Sequence, residues 1–120
     1  MSDEIAWRVV LAVKPNRFDN LERLTGEMVK SARAELGCLS YQRFATEDRK
    51  IVHVYERYSN SGAALEHLKI FTRQFGALYT EMVERTQFTV YGFPSSELRK
   101  VLDQFSPQYL HQLGQWEYWA

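Results

Sequence analysis

The chain has one cysteine, Cys38, in 120 residues. A single thiol cannot build an intramolecular disulfide framework, and it fits a reducing compartment. Excess charge is also missing, since fifteen Lys and Arg balance fifteen Asp and Glu. No field is available to recruit nucleic acid or anionic lipid, so neither nucleic acid nor membrane is expected as a partner. The longest apolar run is far too short to span a bilayer. Met1-Ser2-Asp3-Glu4 is acidic, without the basic flank and apolar core of a signal peptide, so a cytoplasmic location is expected. There is no Gly-rich phosphate loop, no Gly-x-Ser-x-Gly elbow and no His-Glu-x-x-His. His53, His67 and His111 are scattered and Cys38 has no ligand-type neighbour, so no metal site is expected. Internal repeats, linkers and low-complexity tracts are absent as well.

What is present is one ordinary domain's length with 45% hydrophobic residues, enough to bury a core without staples. Seven Tyr, seven Phe and three Trp make that core, or a pocket within it, aromatic. Ile5 to Lys14 is an unbroken β-branched run stopped by Pro15-Asn16, as expected of a central strand covered on both faces. Trp7, Val9, Leu11 and Val13 point one way; Arg8, Val10 and Ala12 point the other.

From Arg17 the period changes. Phe18, Leu21, Leu24, Met28, Ala32 and Leu36 form a helical stripe, with Glu22, Arg23, Glu27, Lys30 and Glu35 largely outside it. Asp19 or Asn20 is a candidate cap, and Gly37 sits where a left-handed terminating residue is wanted. Cys38–Ala45 and Ile51–Tyr58 read as a hairpin broken by Thr46-Glu47-Asp48-Arg49-Lys50, and it is expected at the centre of the sheet. Val52, Val54, Glu56 and Tyr58 share one face of its second strand; Ile51, His53, Tyr55 and Arg57 share the other. Ser59-Asn60-Ser61-Gly62 is a turn and cap. A second helical pattern runs from Ala63 to about Glu84, with Leu68, Phe71, Phe75, Leu78 and Met82 on its stripe and a bend or break expected at Gly76. Thr86–Phe93 is the fourth strand.

The order β-α-β-β-α-β is that of an α+β, ferredoxin-like fold with an antiparallel sheet. Both helices would cover one sheet face, leaving apolar surface on the other that a second copy would naturally cover, so a homodimer is expected. Residues 1–94 form this domain; residues 95–120 form a C-terminal extension, a short helix near Ser95 or Ser96 followed by an aromatic tail ending in Trp116-Glu117-Tyr118-Trp119. Exposing such rings is costly, so the tail is expected to pack on the domain or on the partner subunit.

Two ionisable residues stand out. His67 lies at the margin of the second apolar stripe, where a cleft between helix and sheet would open. There it can serve as a general base or hydrogen-bond a substrate oxygen, or it is a boundary histidine satisfied by a carbonyl. Glu56 alternates with Val52 and Val54, so its carboxylate is buried and needs a partner such as Arg8, Arg43, His67 or a tyrosine hydroxyl. It is either a site carboxylate or half of a structural ion pair. Trp7, Tyr41, Tyr55 and Phe71, with further Tyr and Phe residues, are core or line a pocket for a flat aromatic ligand. Cys38 reads as a small packing residue rather than a nucleophile.

Three segments in order carry a family resemblance: Gly37-Cys38-Leu39-Ser40-Tyr41, Val54-Tyr55-Glu56-Arg57-Tyr58-Ser59, and Ala63-Ala64-Leu65-Glu66-His67-Leu68. Over roughly residues 5 to 93 the chain resembles the antibiotic biosynthesis monooxygenase (ABM) domain family, including a helical His eleven residues after the strand-end Glu. The resemblance implies a dimeric α+β barrel. It also implies a small monooxygenase, an oxidoreductase that oxidises phenols, quinols or anthrones with O2 and no cofactor. By matching position, His67 would be the base or anchor and Glu56 its neighbour. Trp7, Tyr41, Tyr55 and Phe71 are the candidates for substrate binding. Relatives of this fold also degrade haem, isomerise small molecules or lack activity. The haem pattern needs an Asn on the first strand, which is missing here, and no Trp lies between residues 8 and 115. A non-enzymatic dimeric binding protein and an isomerase or lyase remain the alternatives.

Overall fold

A computed structural model describes residues 3–118. The chain runs β1 (Ile5–Val13), α1 (Phe18–Arg33), β2 (Cys38–Ala45), β3 (Ile51–Tyr58), α2 (Ser61–Gln74), α3 (Gly76–Met82), β4 (Val83–Tyr91), α4 (Ser96–Leu102), a single 3-10 turn and β5 (Gln108–Leu110). The strands form one sheet in the order β2-β3-β1-β4-β5, antiparallel except that β5 runs parallel to β4. This is the expected α+β arrangement with an added edge strand. The continuous hydrophobicity of β1 matches its place between β3 and β4. The hairpin, however, is not central: β2 is an edge strand, because β1 returns to pair with β3.

Helix α1 buries Leu21, Leu24, Met28 and Ala32, but its stripe stops there. Leu36 is 96% exposed, because the helix ends at Arg33 and the 3.6-residue period no longer governs the turn that follows. Asp19 and Asn20 do not cap α1; Arg17 occupies that position without a side-chain bond. Gly37 has φ +85°, and a Cβ there would lie 2.7 Å from the Ala63 Cβ and 2.8 Å from the Ser59 Oγ. Its missing side chain thus lets the α1–β2 turn press against the first turn of α2. Asn60 caps α2 by accepting from the Ala63 N–H at 2.9 Å.

The second helical pattern does break at Phe75-Gly76, giving α2 and α3. Its stripe is not packed down: α2 buries Ala64, Leu65 and His67, while Leu68 and Phe71 remain half-buried over a cavity. Strand β4 starts at Val83, earlier than expected, directly after α3. A bulge at Thr86 shifts its register against β1, so that Val10 pairs with Gln87 and Leu11 with Arg85. Helix α4 packs Leu98 and Leu102, both fully buried, against the core formed by Ile5, Trp7, Tyr58 and Val90. Beyond β5, Leu113, Trp116 and Tyr118 are exposed, and Trp119 lies outside the described residues. No helix among the described residues is long and apolar enough to cross a membrane.

Candidate active site

Strand register assembles the polar centre. On the helix-covered face Glu56 of β3 stands opposite Trp7 of β1 and Tyr41 of β2, with Tyr58 two residues along its own strand and Arg43 beside it. Glu56 is 4% exposed and its oxygens are fully engaged. Oε1 accepts from the Trp7 indole at 2.9 Å and from the Tyr58 hydroxyl at 2.6 Å, and Oε2 accepts from Arg43 Nη2 at 2.6 Å. Three of the partner types expected for this carboxylate are therefore present together: Arg43, a tyrosine hydroxyl and His67.

His67 is delivered by α2 and is also 4% exposed. Its Nε2 lies 3.4 Å from Glu56 Oε1, and its Nδ1 lies 2.9 and 3.2 Å from the two oxygens of Glu35. A carboxylate at Nδ1 fixes the ring and directs Nε2 towards Glu56 and the cavity, the base-and-orienter arrangement of acid–base sites. Sequence pattern assigned Glu35 to the solvated side of α1. It turns inward instead, its side chain only 8% exposed, because the helix has already ended and Gly37 draws the turn against α2.

The electrostatics follow from these contacts. Burial alone would push the Glu56 carboxyl up. The Arg43 charge first, then the neighbouring His67 ring and the bonds from Tyr58 and Arg43, outweigh that effect and hold it below the usual carboxylate range. Burial, reinforced by the Glu56 charge and hydrogen bond, drives Tyr58 far above an ordinary phenol, so it stays a donor. Burial also raises Tyr79, to about 12, against the pull of Arg43. The Cys38 thiol is raised by burial and by the charges of Glu35 and Glu56, the opposite of what a thiolate nucleophile needs.

A cavity of about 430 Å³ opens beside this network. Trp7, Arg43, Glu56 and His67 form its polar end, while Val9, Leu11, Phe71 and Phe88 contribute apolar walls. Arg85 lines it as well, its guanidinium carbon 4.9 Å from the Phe105 ring centre. Arg85 and Phe88 are three residues apart, so strict alternation would send them to opposite faces; the bulge at Thr86 brings both to this one. Trp7 and Phe71 thus lie where a ligand would touch them. Tyr41 does not line the cavity, because its ring is stacked beneath Arg43 at 3.5 Å and packs edge-on to His67. Tyr55 is excluded by alternation: next to Glu56 on β3, it faces the open side of the sheet and is 37% exposed. Among the described residues no group of three or more His, Cys, Asp and Glu is placed to hold a metal ion.

The fold has known counterparts. MupZ from Pseudomonas fluorescens superposes with a TM-score of 0.84 at 18% identity, over 98% of this chain and 91% of its own. Rv0793 from Mycobacterium tuberculosis matches with a TM-score of 0.66 at 25% identity, over 78% of this chain and 97% of its own. A Nitrosomonas europaea protein proposed to be an antibiotic biosynthesis monooxygenase gives 0.62 at 16% identity, over 78% and 92%. The MupZ match, at 98% of this chain, thus includes the C-terminal segment. No curated protein sequence matches the chain. The family model described as antibiotic biosynthesis monooxygenase matches residues 5–70, which is more than half the chain and carries both Glu56 and His67. The chain belongs to the antibiotic biosynthesis monooxygenase family.

Proposed function

We propose that the protein is a cofactor-independent monooxygenase that oxidises a small aromatic, quinol-like substrate with O2. The observation that carries the reading is the apolar cavity beside His67, whose ring is anchored by Glu35 and directed at the cavity's polar end. An electron-rich phenol or anthrone that loses a proton can itself reduce dioxygen. The protein then supplies a base, orientation and a dry, preorganised pocket. In this scheme His67 Nε2 takes the proton, and Glu56 with its donors holds the charge pattern around it. For an anthrone-type carbon, CH2 becomes C=O: one atom of O2 enters the product and the other leaves as water, the substrate providing all four electrons.

The working form in this reading is a cytoplasmic homodimer. The open sheet face supports it: Phe44 is 59% exposed there, beside Tyr55 and the half-buried Val10, Ala12 and Ile51. A second reading, a non-oxidative isomerase or lyase, is favoured by the two carboxylates and one imidazole converging within hydrogen-bonding reach, a set suited to proton transfer alone. Oxygen-electrode traces with a panel of quinols and anthrones separate the two. The monooxygenase reading expects uptake that His67→Ala suppresses. Turnover that continues without O2 would replace it with the second.

A further inference from the structure

The apolar walls of the cavity match any flat hydrocarbon, but one side chain at its polar end is left unsatisfied. Arg43 has a side chain only 9% exposed, and of its three nitrogens Nη2 alone is engaged, with Glu56. Nε and Nη1 are buried without a hydrogen-bond acceptor among the described residues. Buried guanidinium donors are costly to leave unpaired, and native interiors seldom do so. The neighbours do not resolve the deficit. Tyr41 offers the face of its ring at 3.5 Å rather than an oxygen. The Tyr79 hydroxyl is near enough for both the charge of Arg43 and a hydrogen bond with it to act on the phenol, yet Nε and Nη1 still lack an acceptor at full hydrogen-bonding geometry. Glu56 is already spent on Trp7, Tyr58 and Nη2.

The guanidinium is also held in place. It is stacked on Tyr41 on one side and bonded to Glu56 at 2.6 Å, so its two unpaired nitrogens are fixed, buried donors on a side chain that helps to line the cavity. We propose that Arg43 is the oxygen-recognition group of the cavity, its Nε and Nη1 donating to a carbonyl or phenolate oxygen at one end of a flat apolar ligand. Glu56 beside it already neutralises the Arg43 charge, which leaves donors suited to a single oxygen rather than to a full carboxylate. An oxygen anchored at Arg43 leaves the ring of the ligand among Trp7, Val9 and Phe71, with His67 at the same polar end. The assignment rests on the cavity being the substrate site, and it makes Arg43 the residue that sets ligand orientation.

The test is binding under anaerobic conditions, so that no turnover intervenes. The probes are naphthalene, 2-naphthol and 2-naphthoate, measured by equilibrium dialysis on the full chain. Wild type should bind 2-naphthol about tenfold or more tighter than naphthalene, the worth of one good charge-assisted hydrogen bond, and tighter than 2-naphthoate. Arg43→Lys keeps a cation for Glu56 but lacks the guanidinium donors, and should bring the 2-naphthol to naphthalene ratio close to one. Equal wild-type affinities for 2-naphthol and naphthalene overturn the proposal, as does an undiminished ratio in a folded Arg43→Lys. Tighter binding of 2-naphthoate overturns the choice of oxygen. If circular dichroism shows Arg43→Lys unfolded, the wild-type ratios still decide. Oxygen uptake with equal probe affinities removes this inference alone; a strong 2-naphthol preference without oxygen uptake removes the monooxygenase reading alone.

Discussion

Replacing Glu56 by Gln tests whether the buried network is as interdependent as its geometry implies. The carboxylate faces one cation and two neutral donors while 4% exposed. Gln keeps the volume but removes the charge that Arg43 needs, and its amide nitrogen must point a donor at another donor. Breaking one partner of a buried ion pair costs about 3–5 kcal/mol, because the surviving charge stays desolvated. At about 4 °C per kcal/mol for a chain of this size, the melting temperature should fall by about 12–20 °C. Urea denaturation followed by circular dichroism should show the midpoint reduced with an unchanged slope, since the surface exposed on unfolding is the same. The double variant Glu56→Gln/Arg43→Met is the informative partner. It removes both charges while the Gln oxygen still accepts from Trp7 and Tyr58, so it should recover most of the loss. A Glu56→Gln cost below about 1 kcal/mol, or a double variant no better than the single one, would refute the reasoning.

Four further outcomes follow from the same contacts. Because the Glu56 carboxyl lies below its unfolded value, its contribution to stability is complete above that value and is lost as pH falls through the folded one; wild-type urea midpoints should drop on acidification below about pH 4.5, and the drop should be shallower in Glu56→Gln. His67→Ala should reduce turnover by about 10²–10⁴-fold, the usual worth of a positioned acid–base group, measured as kcat. Glu35→Gln should lower kcat by a smaller factor with KM little changed, because it orients His67 without touching the cavity. In the proposed homodimer, Phe44→Glu on the open sheet face should shift sedimentation towards monomer while leaving the far-UV spectrum intact.

Local periodicity carried most of the fold. The β-branched run of β1, the α1 stripe through Ala32, the alternation of Val52, Val54, Glu56 and Tyr58, and the break at Gly76 were all legible because each depends on near neighbours. The burial of Glu56 followed from that alternation too. Glu35 was not legible: it lies past the end of α1, where helical period no longer applies, and its inward turn depends on a tertiary contact between Gly37 and Ala63. Arg85 was hidden for a related reason, since a bulge is a mismatch between two strands and leaves no period of its own in either. Whether the apolar residues of α2, Phe71 among them, pack as core or line a pocket stayed open in the sequence, because a cavity-lining stripe and a packed stripe have the same spacing. The edge position of β2 likewise depended on which distant strand β3 would choose.

The most direct test of the proposed chemistry is the origin of the oxygen in the product. With an anthrone or quinol substrate that is turned over under 18O2 in ordinary water, mass spectrometry should find one 18O atom per product molecule before exchange, formed by wild type and suppressed in His67→Ala. Product carrying oxygen only from water, or labelled product formed equally well without His67, would contradict the account.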